Sequence, residues 1–179
     1  MVNIRSYSSW DELYRDANVK DLPWYSNNLD LDLEQELKSR NITKGDFLDL
    51  GTGPGTQAVK LANLGFNVAA SDISRNAIHK ASKLSSKVRF ITDDILNSKL
   101  PEKSFDYIFD RGCFHTLPQS DWQHYLKNTK SILKDNGLLF LKTFSKKEPG
   151  TFGPRRFSPD EIFDIFSNDF IIESIKESV

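Results

Sequence analysis

Two spacings of apolar residues alternate along the chain. Short runs with strand character fall at 47–50, 67–71, 88–92, 105–109 and 137–144, with a sixth at 170–175. Their length and aliphatic or aromatic content suit strands that are buried on both faces. Between them the apolar residues recur at helical spacing. Trp10, Leu13, Tyr14 and Ala17 form one stripe, opened by the S-x-x-E pair Ser9 and Glu12, the signature of a capping box. Leu29, Leu33 and Leu37 form a second stripe that ends near Asn41. A third helix is expected over 57–64, stopped by Gly65, and a fourth after Ser74 with Ala77, Ile78, Ala81 and Leu84 on its inner side. Ser120 and Gln123 predict a cap for a helix that carries Trp122, Tyr125, Leu126 and Leu133 inward and ends at Asn136-Gly137. Ser158-Pro159-Asp160-Glu161 combines an N-cap serine, a first-turn proline and a capping-box glutamate, and Ile162, Phe163, Ile165 and Phe166 follow as its apolar side.

Strands alternating with helices mean βαβ units and a mostly parallel, doubly wound α/β sheet. One domain over 1–179 accounts for this pattern, with two N-terminal helices over 1–45, a nucleotide-type core over 46–144, and a loop, helix and last strand over 145–179. In such a sheet ligands lie beyond the carboxyl ends of the strands, at the switch point. Asp49, Asp72, Asp93, Asp94 and Asp110 all fall at those ends, more acids than a structural role requires.

The stretch with the sharpest chemistry is FLDLGTGPGT, residues 47–56. A strand ends in a loop whose glycines permit left-handed backbone and close approach of a ligand, and the next helix points its free N–H groups at that loop. The dinucleotide fingerprint G-x-G-x-x-G is not met, because Thr56 stands at its sixth position and Gly55 at the fifth. Asp49, two residues before the first glycine, suits a cationic ligand instead.

The stretch resembles motif I, D-x-G-x-G-x-G, of the class I S-adenosylmethionine-dependent methyltransferases. That resemblance implies S-adenosylmethionine as cofactor and S-adenosylhomocysteine as product. It implies that Asp49 faces the methionine end, that Gly51, Thr52, Gly53, Gly55 and Thr56 form the loop beneath it, and that Asp72, followed by Ile73, binds the ribose hydroxyls. Asp94, with the Ile95 backbone, would hold the adenine amino group, with Asp93 able to exchange roles with it. The alternative for either acid is a cap on the following turn. The family's N/D-P-P-Y signature of amino-group methyltransferases is missing after the fourth strand. Asp110-Arg111-Gly112, the segment GPRRFSPDEI, the Trp10 and Tyr14 pair and Pro23-Trp24 are similar to thiopurine S-methyltransferase-like and tellurite-resistance-like members. A D-K/R-G turn also occurs in some protein-lysine methyltransferases. The family's seventh, antiparallel strand, inserted between the fifth and sixth, has no counterpart.

Methyl transfer from a positive sulfur needs mainly alignment and exclusion of water. Residues able to assist a proton are His115, Tyr25 and Asp110. Arg111 either binds the methionine carboxylate or substrate, or pairs with Asp110 to fix its turn. Trp24 and Tyr25, in a turn-rich connection, are candidates for a substrate lid, with plain packing as the competing reading. Arg155 and Arg156 belong to a basic cluster with Lys142, Lys146 and Lys147, read either as an anion-binding substrate rim or as a solvated loop.

Composition narrows the partners. Lys and Arg number 24 against 25 Asp and Glu, so no strong field draws in nucleic acid. No apolar run reaches the ~20 residues of a membrane span, the N-terminus has no signal core, and a cytoplasmic address follows. The single cysteine, Cys113, and three unclustered histidines offer no metal site. The expected partner is a small-molecule methyl acceptor and the expected assembly a monomer or homodimer. A nucleotide-binding module without turnover and a nicotinamide oxidoreductase are the readings from other classes.

Overall fold

The computed structural model describes residues 7–150 and 153–178. Its centre is a parallel sheet of five strands in the order β3-β2-β1-β4-β5. They are β1 (Asp46–Leu50), β2 (Asn67–Asp72), β3 (Val88–Thr92), β4 (Phe105–Asp110) and β5 (Leu133–Leu141). The helices are α1 (Trp10–Asp16), α2 (Leu31–Ser39), α3 (Thr56–Asn63), α4 (Arg75–Ala81), α5 (Trp122–Ile132) and α6 (Pro159–Phe166). The chain order reverses between β1 and β4, so the switch point lies at the tip of β1.

The alternation of side chains along a strand decides where each one goes. Leu48 and Leu50 of β1, with Ile108 of β4, join Phe114, Trp122, Tyr125, Leu126 and Phe166 on the α5–α6 face. Phe47 and Phe109 join Leu33, Leu37, Leu61 and Val68 on the α2–α3 face. Leu48, Leu61 and Ile108 are wholly excluded from solvent, and each such side chain contributes roughly 1.5–3 kcal/mol through burial. The same parity turns Asp49 toward α3 and Asp110 toward α5.

Several helix starts follow their expected chemistry. The Ser74 hydroxyl accepts from the Ala77 N–H, and Ser158 and Glu161 form a complete capping box at α6. Ser9 accepts from the Glu12 N–H, but the Glu12 carboxylate turns to Ser8, so the reciprocal half of that box is lost.

Three expectations are corrected. Ser120 does not cap α5, which begins after a 3-10 turn at Gln119–Asp121 and has Asp121 before it with no side-chain cap. The helix also ends at Ile132 and runs directly into β5, whose register to β4 shifts between Phe105 and Tyr107. Gly137 sits in that shifted stretch, where a Cβ would stand 2.9 Å from the Asp106 carbonyl oxygen. Finally, residues 170–175 form no strand and pair with none among the described residues. Phe170 and Ile172 pack on the α5–α6 face, while Glu173 and Lys176 reach Arg40 and Glu36 beside α2. In the expected arrangement this segment hydrogen-bonds to a strand inserted beside β5, and among the described residues no such strand is present to offer it a ladder. A two-residue parallel pair, Phe144–Ser145 with Arg156–Phe157 (β6 and β7), instead ties the end of β5 to the loop before α6.

Candidate active site at the tips of the strands

The loop after β1 folds by spending its own polar groups. Thr52 N–H donates to the Ser71 carbonyl and Gly55 N–H to that of Thr52. Gly53 N–H donates to Asp72 Oδ2 at 2.8 Å, and Ala58 N–H to Asp49 Oδ2 at 3.1 Å. Pro54 has no N–H to give. A pyrophosphate needs such amides free, so this loop is unsuited to the dinucleotide reading.

Gly53 has φ +48°, and a Cβ there would overlap the Tyr14 hydroxyl. A side chain is therefore excluded on two grounds, backbone conformation and space. The sequence places Tyr14 on the inward stripe of α1 and in the Trp10 and Tyr14 pair of the resemblance. It is indeed buried, yet its hydroxyl is brought over the loop, where it accepts from Trp24 Nε1 at 2.9 Å. Helical spacing identifies the inner face of α1 but not that this face lands on residue 53. Trp10, half outside, meets Trp24 edge to face with ring centres 5.8 Å apart.

Most of the acids at the strand tips organise loops. Asp49 accepts from the Thr52 hydroxyl and Ala58 N–H beneath the loop. It faces α3 and is nearly sealed from solvent; desolvation pushes its carboxyl up to about 6 against the pull of those two hydrogen bonds. Asp110 is 0% exposed. It accepts from the N–H groups of Gly112, Cys113 and Phe114 and from the Tyr125 hydroxyl. All of its acceptor capacity is committed, which removes it as a proton-transferring group. Asp93 is likewise bound to Ser98 and the Lys99 N–H, and Asp94 caps the turn at Ile95–Asn97 through one oxygen on the Leu96 N–H. The capping alternative is thus realised for Asp94, and the Asp93 side chain fastens the next turn.

Asp72 accepts two hydrogen bonds, as many as Asp49, but spreads them over both oxygens and takes both from backbone: Oδ1 accepts from the Ser74 N–H at 2.9 Å and Oδ2 from the Gly53 N–H. A carboxylate offers about four acceptor positions, so capacity remains for hydroxyl donors. Burial raises its pKa, opposed by those two backbone bonds. The Cys113 thiol lies where Asp110, Asp72 and Asp94 all act on it, and burial above all holds it well above the usual thiol range. Such a thiol is a poor nucleophile. A glycine cradle under an aromatic roof and an under-used carboxylate at the β2 tip fit a ribose-bearing cation of the S-adenosylmethionine type.

Arg111 does not pair with Asp110. Its Nε lies 3.1 Å from Asp30 Oδ2 and one Nη donates to the Trp24 carbonyl at 3.1 Å. His115 sits in the 3-10 turn Phe114–Thr116, its ring centre 5.2 Å from that of Phe144. Its Nδ1 is buried with no hydrogen-bond partner, and desolvation lowers its pKa to about 4, so the ring is neutral at pH 7. The Tyr25 hydroxyl donates to Asn27 Oδ1. Ile73 is exposed beside Asp72.

The basic cluster resolves into paired and stacked cations. Lys142 meets Asp30 and Asp32, Lys146 meets Glu161 and Lys147 meets Glu177. The Arg155 guanidinium lies 4.7 Å from the centre of the Trp122 ring. Arg156 donates to the carbonyls of Glu148 and Pro149. Lys146 and Lys147 are surface pairs, Lys142 is tied at the β5 tip to the buried Asp30, and the two arginines shape the loop beside Phe144. A hollow lined by Asp46, Asn67, Arg89 and Ser104 lies at the opposite ends of the strands and takes no part in this site. Among the described residues there is no cluster of three or more metal-ligating side chains, and no helix is long and apolar enough to cross a membrane.

Comparison with known proteins agrees with this geometry. The profile of a methyltransferase domain family matches residues 47–137. An uncharacterized methyltransferase of Schizosaccharomyces pombe is 34% identical over 121 residues, covering 63% of this chain and 83% of its own. A ubiquinone biosynthesis O-methyltransferase of Rickettsia conorii is 29% identical over 123 residues, 68% of this chain but 42% of its own length. Among solved structures, one concerned with conversion of a disulfide bond into a thioacetal group during echinomycin biosynthesis superposes with TM-score 0.80 at 24% identity, over 94% of this chain and 81% of its own. The Burkholderia thailandensis 1,6-didemethyltoxoflavin-N1-methyltransferase, with bound 1,6-didemethyltoxoflavin and S-adenosylhomocysteine, superposes with TM-score 0.65 at 21% identity, over 78% and 65%.

Proposed function

The chain belongs to the methyltransferase domain family and is an S-adenosylmethionine-dependent methyltransferase, and from that premise we propose that its methyl acceptor is a small molecule. The observation that carries this reading is the covered site. The segment before α2 crosses the glycine loop, with Trp24 on the Tyr14 hydroxyl and Asp30 on Arg111. A roofed cleft suits a compact ligand that is mostly buried when bound, and suits a lysine on a folded protein less well. Lys142, Lys146 and Lys147 are each paired with carboxylates, so that stretch offers less positive charge to a phosphate backbone than its composition suggests. The R. conorii and B. thailandensis relatives act on small molecules by name.

Bound S-adenosylmethionine supplies a methyl group already activated by cationic sulfur. The chain's own work is then to bind and to orient. Asp72 accepts from ribose hydroxyls, and the loop from Gly51 to Gly55, with Thr52 and Thr56 at its turns, fits closely under the cofactor. Asp94 keeps one oxygen for the adenine edge beside Ile95. Trp24 and Tyr25 close the acceptor side from above, with Phe144, Arg155 and Arg156 along its rim. His115, neutral at pH 7, lies beside Phe144 at that rim and can accept a hydrogen bond from a thiol or hydroxyl acceptor, though a pKa of about 4 makes it a weak base.

Incubation of the protein with S-adenosylmethionine and a panel of thiols, phenols, amines and a lysine peptide, with S-adenosylhomocysteine as readout, tests the proposal. Turnover with one of the small-molecule classes and none with the peptide is the expected result; turnover confined to the peptide overturns it.

A further inference from the structure

We infer that Asp30 is a positioning residue, the bolt of a latch that holds the segment from Trp24 to Asp30 over the cofactor cleft and sets the rate at which cofactor and product exchange. The established activity calls for a carboxylate near the ribose, and Asp30 is nowhere near Asp72 in role: it begins α2, yet its side chain is only 5% exposed.

The carboxylate meets two cations that stand at the tips of two different strands. Arg111, directly after β4, brings Nε to 3.1 Å from Oδ2. Lys142, directly after β5, brings Nζ to 2.9 Å from Oδ2 and 3.2 Å from Oδ1. The same carboxylate caps α2 through the N–H groups of Asp32 and Leu33. The backbone joins in: Asp30 N–H donates to Gln57 Oε1 at 2.8 Å, and Gln57 Nε2 donates to the Asn28 carbonyl at 3.0 Å. Gln57 is in the first turn of α3, immediately behind the glycine loop. One residue thus fastens the strap to β4, β5 and α3 at once.

At the strap's other end Arg111 holds the Trp24 carbonyl, and the Trp24 indole is bonded to Tyr14, whose hydroxyl lies on Gly53. The strap therefore crosses the β1 tip, where the chain order reverses beside β4, and a nucleoside entering that switch point must pass it. Asp30 is buried while Arg111 and Lys142 are partly exposed, so lifting the strap takes the carboxylate away from both cations at once and leaves its charge uncompensated until water reaches it. Plain capping of α2 would need neither.

The test is Asp30→Asn, which keeps the capping oxygen and removes the charge. Dissociation of S-adenosylhomocysteine, followed by stopped-flow displacement, is expected to accelerate about tenfold. Hydrogen exchange at residues 24–30 of the product-bound protein should lose its protection, while β1 and β4 keep theirs. Glu34→Gln, on the outer side of α2 where Glu34 pairs with Lys38, serves as the control with wild-type rates. Dissociation within about twofold of wild type, or unaltered protection of the strap, overturns the latch, since a merely structural role lowers melting temperature without opening the strap selectively. Should Asp30→Asn not fold, Lys142→Met removes one cation and leaves the Arg111 contact; a smaller acceleration supports the proposal and an unchanged rate refutes it.

Discussion

The Tyr125 hydroxyl donates to Asp110 Oδ2 at 2.7 Å, joining the middle of α5 to the tip of β4 in a site closed to water. Three backbone N–H groups complete the shell of that carboxylate, and the turn from Asp110 to Phe114 is wound around it. Burial raises the Asp110 pKa, countered first by the Tyr125 bond. Tyr125→Phe should cost about 1–2 kcal/mol of stability, the usual effect of losing one partner of a charged acceptor. Asp110→Asn places an NH2 group against two donors and should cost more, roughly 3 kcal/mol or above. Urea unfolding measures both. Folded Tyr125→Phe should retain kcat, because Asp110 shapes the turn and moves no proton; a large loss of kcat without loss of fold would contradict that assignment.

A second prediction concerns Gly53. Alanine at 53 must adopt φ +48° and push away the Tyr14 hydroxyl. The conformational part costs about 1 kcal/mol, and the collision adds to it. Tyr14→Phe removes the colliding oxygen, so Gly53→Ala should be less harmful in that background than in the wild type. A double-mutant cycle on melting temperature reads this coupling directly; strict additivity would mean that the hydroxyl is not in the way.

The sequence and the structure agree over much of the local chemistry, though not at the Ser120 cap or the Glu12 half of the first capping box, and they diverge most where a feature depends on a neighbour. Strand alternation, the glycine loop and the Ser158 capping box are each decided by a few adjacent residues, and each is found where the pattern puts it. Asp49 and Asp110 are different. Their position at strand tips is legible, but which way they point follows from side-chain parity, since 49 shares a face with Phe47 and 110 with Ile108. Reading that parity turns both acids into the protein. Arg111 shows the opposite limit: its partner Asp30 is remote in sequence, and no spacing rule points to it. Residues 170–175 have strand composition, yet a strand exists only where another offers its backbone.

Asp72→Ala carries the cofactor assignment. Removal of a charge-assisted acceptor from ribose hydroxyls should weaken S-adenosylhomocysteine by about 1–3 kcal/mol. The same change frees Gly53 N–H and Ser74 N–H, so calorimetric titration should be paired with Ser74→Ala, which removes the α4 cap and the hydroxyl's bond to Asp11 but leaves the Asp72 carboxylate in place. Affinity lost in Asp72→Ala but kept in Ser74→Ala locates the ribose at residue 72. Equal affinities in both variants would move it elsewhere.

Asp49 gives stability a pH dependence opposite to that of an ion-paired acid. Desolvation lifts its carboxyl to about 6 from an ordinary 3.8, so between those values the folded chain retains a proton that the unfolded chain has released. Proton binding in that window favours the folded state. The contribution is therefore fully present below pH 3.8 and is lost as pH rises through 6, a fall on the order of 2–3 kcal/mol. Asparagine at 49 keeps an oxygen for the Thr52 hydroxyl and Ala58 N–H and has no proton to lose. Urea unfolding of Asp49→Asn and wild type at pH 4 and pH 7 should show the variant gaining on the wild type as pH rises, by an amount close to that fall. A difference that stays constant across the window would mean that residue 49 is ionised throughout, as an acid facing a cationic ligand from an open cleft would be.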